Sequence, residues 1–217
     1  IYGCLVGSEM CIRDSYCGVV GFKPTFGHLS VAGVKPLSHS LDTLGCFVRS
    51  AVDLRIFRQA IWNVSGEESP DKKFPKIGFC RTPDWEKAGP STQNALEHAR
   101  QTWSSLGVEI IDVQLPEEFS ALGDAHGCIM VYEAGQNLRY ELSYHQSLLS
   151  KRLRSYFEKP IRFEEYQEAL KMTRLCRNRM QEVFDSCDVL LAPSAPDEAP
   201  HGLDYTGDTV FNRMWTM

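Results

Sequence analysis

Residues 76–80 read KIGFC and residues 108–113 read VEIIDV, two short apolar runs typical of buried strands. Between them Ser91 begins a helical pattern and Gly107 ends it. The apolar positions of this pattern are Leu96, Ala99, Trp103 and Leu106. A strand, a helix closed by glycine and a second strand form a βαβ unit, whose strands are parallel with a right-handed crossover. The sequence therefore predicts the α/β class.

Regular patterns also flank this unit. Ser50, three residues before Asp53, predicts a helix start with an apolar stripe at Val52, Leu54, Phe57 and Ile61, and Asn63 and Gly66 predict its end. Residues 65–75 predict an exposed loop, and residues 119–187 predict helices broken near Pro160. Residues 188–193 (DVLLAP) predict a third strand stopped by proline. In the last helix the predicted apolar positions are Phe163, Tyr166, Leu170, Cys176, Met180, Val183 and Phe184.

Composition narrows the class of protein. The 217 residues are 43% apolar and 24% charged with a net charge of -5, which indicates a soluble globular chain rather than a fibrous, disordered or membrane-spanning one. Because no basic run is long enough to hold a phosphate backbone, nucleic acid is not an expected partner, nor is a membrane. The eight cysteines form no CxxC pair and are expected to be reduced thiols in or near the core, which favours a cytoplasmic location.

Familiar catalytic and metal-binding motifs do not occur in the sequence. It contains no P-loop, GxGxxG, HExxH or GxSxG, and its histidines are never spaced HxH or HxxxH, so we expect neither a metal nor a cofactor. Ser38, Ser40 and Asp42 alternate, and without a base in view a turn held by side-chain hydrogen bonds is favoured over a nucleophile. Cys17 and Cys46 would need a cationic neighbour or a helix N-terminus beside them to be reactive.

Residues 17–27 (CGVVGFKPTFG) and 38–45 (SHSLDTLG) resemble the amidase signature family, and the resemblance continues through residues 49–54. Residues 188–193 and 206–216 (TGDTVFNRMWT) are similar to a later strand of that family and to the stretch before its final strand. The resemblance implies an α/β fold with a mixed sheet core flanked by helices. It also implies that the chain is incomplete at both ends, with residues 16–217 a partial amidase domain carrying a helical insertion at about 119–187.

The family resemblance implies metal-free attack on a carboxamide by a serine, aided by a second serine, a lysine and backbone N–H groups that bind the oxyanion. The lysine and second serine belong upstream of residue 17. The nucleophile belongs in a GGSIRxPAxxCG segment, where this chain reads GSEMCIRDSYCG. Anchoring on Ile12 and Arg13 selects Cys11, whereas counting back from Cys17 selects Glu9. The role of nucleophile is therefore not assigned to Ser8, Cys11 or Ser15.

Residues 1–15 form a doubtful segment. The string SEMCIRDS resembles a translated sequencing adapter, so this segment is expected to be foreign to the gene. The alternative is a natural departure in which the Cys11 thiol replaces the serine. Among the positions that match the family, Asp208 and Asn212 are the expected substrate-binding residues, although Asp208 could instead organise a turn at Gly207.

The leading hypothesis is a partial amidase that in its full-length form hydrolyses a small-molecule amide through a serine acyl-enzyme. As given, the chain is expected to be inactive because the catalytic groups are missing. Two alternatives stay open: a fragment of a glutamine-dependent amidotransferase subunit, and a non-catalytic pseudo-enzyme that binds a partner through residues 119–187. A homodimer is also an open possibility.

Overall fold

A parallel sheet confirms the predicted βαβ unit. The computed structural model describes residues 9–62, 74–202 and 204–217, and of residues 9–11 and 13 the backbone only. Its central strand β3 (Ile77–Cys80) pairs in parallel with β4 (Ile110–Val113) on one side and with β5 (Val189–Leu191) on the other. Ile77 lies opposite both Ile110 and Val189. All three predicted strands therefore form, and they share one sheet.

Helix α3 (Pro90–Ser105) makes the crossover between β3 and β4. It begins at a proline, whose missing N–H costs nothing in the first turn, and it ends before Gly107, whose φ of +82° favours glycine. Its predicted apolar face is only partly buried. Leu96 lies in the core, but the side chains of Trp103 and Leu106 are 42% and 57% exposed.

Before the sheet lies a smaller unit formed by α1 (Glu9–Cys17), β1 (Val20–Phe22), β2 (Cys46–Val48) and α2 (Asp53–Trp62). The two strands are antiparallel, and within the described residues they form a sheet separate from the parallel one. Helix α2 starts as predicted, because the Ser50 N–H donates to Asp53 Oδ2 at 3.1 Å. Its apolar stripe is not buried, and Val52 is 65% exposed. The predicted end of α2 at 63–66 and most of the loop at 65–75 lie outside the described residues.

The region from 119 to 187 is helical, as predicted. It contains a 3-10 turn at Glu117–Ala121 and the helices α4 (Leu122–Asn137), α5 (Arg139–Tyr144), α6 (Lys151–Ser155) and α7 (Phe163–Phe184). The chain breaks after Asn137, at His145 and at Pro160, so the interruption is wider than the sequence indicates. The buried residues of α7 are Ala169, Thr173, Cys176 and Val183. Phe163 and Phe184, predicted to be apolar core positions, are about half exposed.

The main core lies between the parallel sheet, α7 and the C-terminal 3-10 turn at Met214–Thr216. Its buried members are Cys80, Leu115, Phe119, Leu122, Cys176, Val183 and Met214. The cysteines whose side chains are described are free thiols, and Cys80, Cys176 and Cys187 are buried as predicted, whereas Cys17 is exposed. The side chains of Cys4 and Cys11 lie outside the described residues. The fold is α/β, with helices covering a small sheet.

Gly78 provides a test of this core. A Cβ atom added there would lie 2.7–2.8 Å from side-chain atoms of Val113, Cys187 and Leu190, so Gly78→Ala must displace packed atoms. We expect this variant to lower the free energy of unfolding by about 1–3 kcal/mol in urea titrations. The matched control is Gly123→Ala in α4, where a Cβ meets nothing within 4 Å and helix propensity adds up to about 1 kcal/mol. Equal effects of the two variants would contradict the close packing at β3.

Candidate functional site

A groove of about 880 Å³ is lined by residues of both sheets. Its lining includes Gly21 of β1 and Val189 and Leu190 of β5. Helix α7 and the C-terminal residues provide the apolar walls. The main apolar side chains are Phe119, Leu122, Met180, Phe184, Met214, Trp215 and Met217. We refer to this concavity as the inter-sheet groove.

Asn212 is a buried polar residue of the inter-sheet groove that contacts Ser194. It is 4% exposed, and its Nδ2 donates to the Ser194 carbonyl oxygen at 2.7 Å, which fixes the loop that follows β5. Ser15 Oγ donates to Ser194 Oγ at 2.8 Å. Asp14 also lines the groove, and burial raises the pKa of its carboxyl group. Asn212, predicted to bind substrate, is one of the residues that line the inter-sheet groove.

Asp208, the second predicted binding residue, is placed differently. Its Oδ1 accepts from the Val210 N–H at 3.0 Å and from Arg213 Nη2 at 3.1 Å, and the preceding Gly207 has a φ of +96°. These contacts organise a turn, the alternative that the sequence left open. Asp208 is not among the residues that line the inter-sheet groove. The structure thus separates the two predicted residues: one faces the groove and the other forms an ion pair beside it.

The described residues assign no nucleophile. Ser8 and the side chains of Cys11 and Arg13 lie outside them. Ser15 is described and exposed, and it hydrogen-bonds to Ser194. No lysine or histidine belongs to the groove lining in the part of the chain that the structure describes. Burial raises the pKa of the Cys46 thiol, the opposite of what a reactive thiolate needs.

Ser38, Ser40 and Asp42 form a turn rather than a nucleophilic site, as predicted. Asp42 Oδ2 accepts from the N–H groups of Leu37 at 2.8 Å and Ser38 at 3.0 Å. The N–H groups of Leu41 and Asp42 both donate to the Ser38 carbonyl oxygen. Burial raises the pKa of Asp42, and the two backbone N–H groups partly offset that effect.

Glu133 of α4 holds this turn, and the sequence analysis did not single it out. Its side chain is fully buried. Oε2 accepts from Ser38 Oγ at 2.7 Å and from the Ser40 N–H at 3.0 Å, while Oε1 accepts from the Tyr166 hydroxyl at 2.8 Å. His39 Nε2 lies 3.4 Å from Oε1. Burial alone would raise the pKa of Glu133, but these hydrogen bonds outweigh it and lower the pKa below its ordinary value.

His126, one turn before Met130 on α4, is a second buried titratable group that sequence reasoning missed. It is 6% exposed, and burial together with the nearby Arg213 charge lowers its pKa to about 4. The imidazole is therefore neutral at pH 7. A lone histidine inside a helical pattern carries no sequence signal that distinguishes this buried position from an exposed one such as His98.

Comparison with known proteins decides which family these features belong to. The family model described as Amidase matches residues 14–216, nearly the whole chain. The chain belongs to the amidase signature family. This confirms the resemblance inferred from residues 17–54 and 188–216. The match begins at residue 14, within the segment predicted to be foreign.

Two relatives illustrate the range of named activities. A glutamyl-tRNA(Gln) amidotransferase subunit of Caldanaerobacter subterraneus subsp. tengcongensis is 28% identical over 85% of this chain and 46% of its own. The indoleacetamide hydrolase of Allorhizobium ampelinum is 27% identical over 64% of this chain and 30% of its own. Both are similar to this chain, and both extend well beyond the matched region.

Solved structures show the same fold. A crystal structure of an amidase superposes with a TM-score of 0.84 at 20% identity, covering 99% of this chain and 52% of that one. Fatty acid amide hydrolase superposes with a TM-score of 0.76 at 16% identity, over 99% and 42% of the two chains. The α/β fold class is therefore confirmed, and the chain spans about half the length of the relatives that it matches. Among the described residues, no helix is long and apolar enough to cross a membrane.

The Glu133 contacts predict a large effect from a nearly isosteric change. In Glu133→Gln the charge is lost and one acceptor oxygen becomes an NH₂ group, so the donors that bonded that oxygen lose their acceptor. We expect the free energy of unfolding to fall by about 2 kcal/mol, against about 1 kcal/mol for Tyr166→Phe. Urea titration measures both values. The matched control is Glu164→Gln on the exposed face of α7, and a Glu133→Gln effect no larger than that of the control would contradict the buried hydrogen bonds.

The lowered pKa of His126 predicts a pH dependence. Between pH 6.5 and about 4 the unfolded chain binds a proton that the folded chain does not, so stability falls as the pH falls through this window. From pH 7.5 to pH 5 this group should cost about 2 kcal/mol. His126→Gln should lose that much less over the same interval, whereas the exposed His98→Gln should follow the wild type. Parallel stability–pH curves for the wild type and His126→Gln would contradict the shift.

Proposed function

We propose that this chain is part of a hydrolase that cleaves the C–N bond of a small carboxamide through a serine acyl-enzyme, and that the chain alone is inactive. The observation that carries the proposal is the family match over residues 14–216, a range that includes every residue lining the inter-sheet groove except Met217. In the proposal the reactive serine, the lysine and the oxyanion-binding backbone belong to polypeptide outside residues 16–217.

In this proposal residues 16–217 supply one wall of the substrate site. Asn212 is the proposed polar contact, because it faces the groove and its Oδ1 lies 3.5 Å from Ser194 Oγ, a distance too long for a strong hydrogen bond. The carboxamide oxygen of Asn212 could therefore accept from the NH₂ group of an amide substrate. Asp208 is the second proposed contact, although it does not line the inter-sheet groove and its carboxylate bonds to the Val210 N–H and to Arg213.

An amidotransferase is the alternative supported by a specific observation, since a relative that matches 85% of this chain carries that name. This alternative would require this part of the protein to bind glutamine, whose ammonium group needs an anionic partner. Asp208 already forms an ion pair with Arg213 Nη2 at 3.1 Å. We therefore favour a neutral amide substrate and a free-standing cytoplasmic enzyme over glutamine. The pseudo-enzyme alternative has no comparable supporting contact among the described residues.

Acyl transfer to hydroxylamine tests the proposal, because it reports any acyl-enzyme as a hydroxamate. The 217-residue chain should form no more hydroxamate from acetamide or benzamide than a heat-killed sample. The longer reading frame recovered from flanking DNA should encode a Gly/Ser-rich stretch preceded by a lysine, and its product should be active. In that product Asn212→Ala should lower kcat/KM at least about tenfold, as expected for a lost hydrogen bond to a reacting group.

The exposed Asp204→Asn is the matched control for Asn212→Ala and should leave activity unchanged. Turnover by the 217-residue chain that disappears in Cys11→Ala would contradict the proposal and support the thiol alternative. A longer product that uses glutamine but neither simple amide would support the amidotransferase alternative. A start codon at residue 16 with no lysine-bearing segment before it would favour the pseudo-enzyme.

A further inference from the structure

Another pocket, of about 460 Å³, is lined by residues of β1, of the turn that follows it and of α2. These lining residues are Phe22, Pro24, Thr25, His28, Arg58 and Trp62. None of them lines the inter-sheet groove, to which β1 contributes Gly21 instead. Because consecutive residues of a strand face opposite sides of a sheet, Gly21 and Phe22 belong to different surfaces of β1. We refer to this concavity as the aromatic pocket.

Trp62, the last residue of α2, is at the centre of the rings that build the aromatic pocket. Its ring lies edge to face with those of Phe22, Phe57 and His28, at centroid distances of 6.3, 6.0 and 5.9 Å. Edge-to-face pairs at such distances are favourable beyond the area that they bury. These contacts hold α2 against β1 and give the pocket an aromatic wall.

A tight turn after β1 brings His28 to this wall. The His28 N–H donates to the Thr25 carbonyl oxygen at 3.0 Å, and Gly27 between them has a φ of +77°, which favours glycine. The turn follows Pro24 directly, so the chain reverses within four residues. Residues 21–28 therefore supply a strand to the antiparallel sheet and a turn to the pocket.

Arg58 gives the aromatic pocket a positive charge. It lies one turn before Trp62 on α2, so the two side chains share a face of the helix. Within the part of the chain that the structure describes, the Arg58 side chain makes no hydrogen bond and no ion pair. No aspartate or glutamate belongs to the described lining of the pocket. The guanidinium is thus a cation beside aromatic surface with no carboxylate to neutralise it.

The indole N–H of Trp62 is a further donor without a partner. Trp62 Nε1 is buried and has no hydrogen-bond acceptor among the described residues. Unpaired buried donors are uncommon in folded proteins, and one such group indicates a missing acceptor. Two donors at this pocket, one charged and one neutral, therefore favour a ligand that carries an anionic acceptor.

We propose that the aromatic pocket binds a small aromatic carboxylate, with the ligand ring against Phe22 and Trp62 and its carboxylate on Arg58. A guanidinium matches the two oxygens of a carboxylate in a bidentate geometry, and aromatic walls suit a planar ring. The pocket volume lies in the range of small-molecule sites.

Both halves of this ligand are needed to satisfy the pocket. An inorganic anion would leave the aromatic wall uncovered, and a neutral arene would leave the Arg58 charge unpaired. The inference does not rest on the proposed amide hydrolysis, because the aromatic pocket and the inter-sheet groove share no lining residue.

Titration of the 217-residue chain with phenylacetate tests the proposal without any enzymatic readout. Two matched ligands separate the contributions: phenylacetamide keeps the ring and lacks the charge, whereas acetate keeps the charge and lacks the ring. The indole N–H resonances of the tryptophans locate the ligand, because Trp62 lines the aromatic pocket and Trp215 lines the inter-sheet groove. Single Trp→Phe variants assign these resonances.

Phenylacetate should shift the Trp62 resonance saturably and leave that of Trp215 unchanged. Phenylacetamide and acetate should each bind at the aromatic pocket at least about tenfold more weakly, as expected when a charged hydrogen bond or the ring contact is lost. Arg58→Gln should raise the Kd of phenylacetate at least about tenfold and leave that of phenylacetamide unchanged. The matched control is Arg174→Gln on the exposed face of α7, which should bind phenylacetate like the wild type.

Five results would overturn the proposal. They are no saturable shift at Trp62, a shift at Trp215 in its place, acetate that binds as tightly as phenylacetate and so reports an adventitious ion only, phenylacetamide that binds as tightly as phenylacetate, or an unchanged phenylacetate Kd in Arg58→Gln. The ligand-free indole spectrum of Arg58→Gln, compared with that of the wild type, verifies that the variant keeps the aromatic pocket folded.

Discussion

The buried carboxylate of Glu133 is the contact on which the arrangement of this chain depends. A fully buried charge is unfavourable unless hydrogen bonds satisfy it, and here the donors are Ser38 Oγ, the Ser40 N–H and the Tyr166 hydroxyl. Those donors belong to the N-terminal unit and to α7, while Glu133 belongs to α4. One side chain therefore joins three segments that are distant in sequence.

The same face of the helical region extends this contact. Asn137 Nδ2 donates to the Leu37 carbonyl oxygen at 3.1 Å, and Lys35 pairs with Glu141 at 2.9 Å, so positions 133, 137 and 141 follow one another at helical spacing along residues 35–40. The inner contact is buried and carries most of the stabilisation, whereas the outer ion pair is exposed to solvent and contributes little. The ring of Tyr166, stacked on that of Tyr132 at 4.2 Å, keeps its hydroxyl aimed at the carboxylate.

Local pattern was enough to predict the βαβ unit, because the strands at 77–80 and 110–113 and the helix between them are each specified within a few residues. Local pattern did not predict burial correctly for α2 and for the ends of α7. Both have an apolar stripe, but within the described residues these side chains stay partly or largely exposed. Glu133 could not be found by periodicity, since its partner Ser38 lies 95 residues away. The available signal for a buried Glu133 was its place one turn after Ile129 and beside Ala134, on the buried face of α4. A charge at such a position needs a partner, because unpaired charges are almost never fully buried.

The Glu133 contacts and the inter-sheet groove differ in how their polar groups are satisfied. The hydrogen-bond donors of Glu133 lie within residues 38–166, so the described part of the chain satisfies this carboxylate. The groove differs, because Leu190 and Trp215 line an open concavity there. The Gly21 N–H donates to the carboxylate of Asp14. The described contacts are therefore distributed unevenly: the helical region contains a buried, fully hydrogen-bonded carboxylate, and the groove is open and mainly apolar. Because our proposal assigns the catalytic serine and lysine to polypeptide outside residues 16–217, it gives the groove the role of contacting the substrate and not that of supplying the reacting groups.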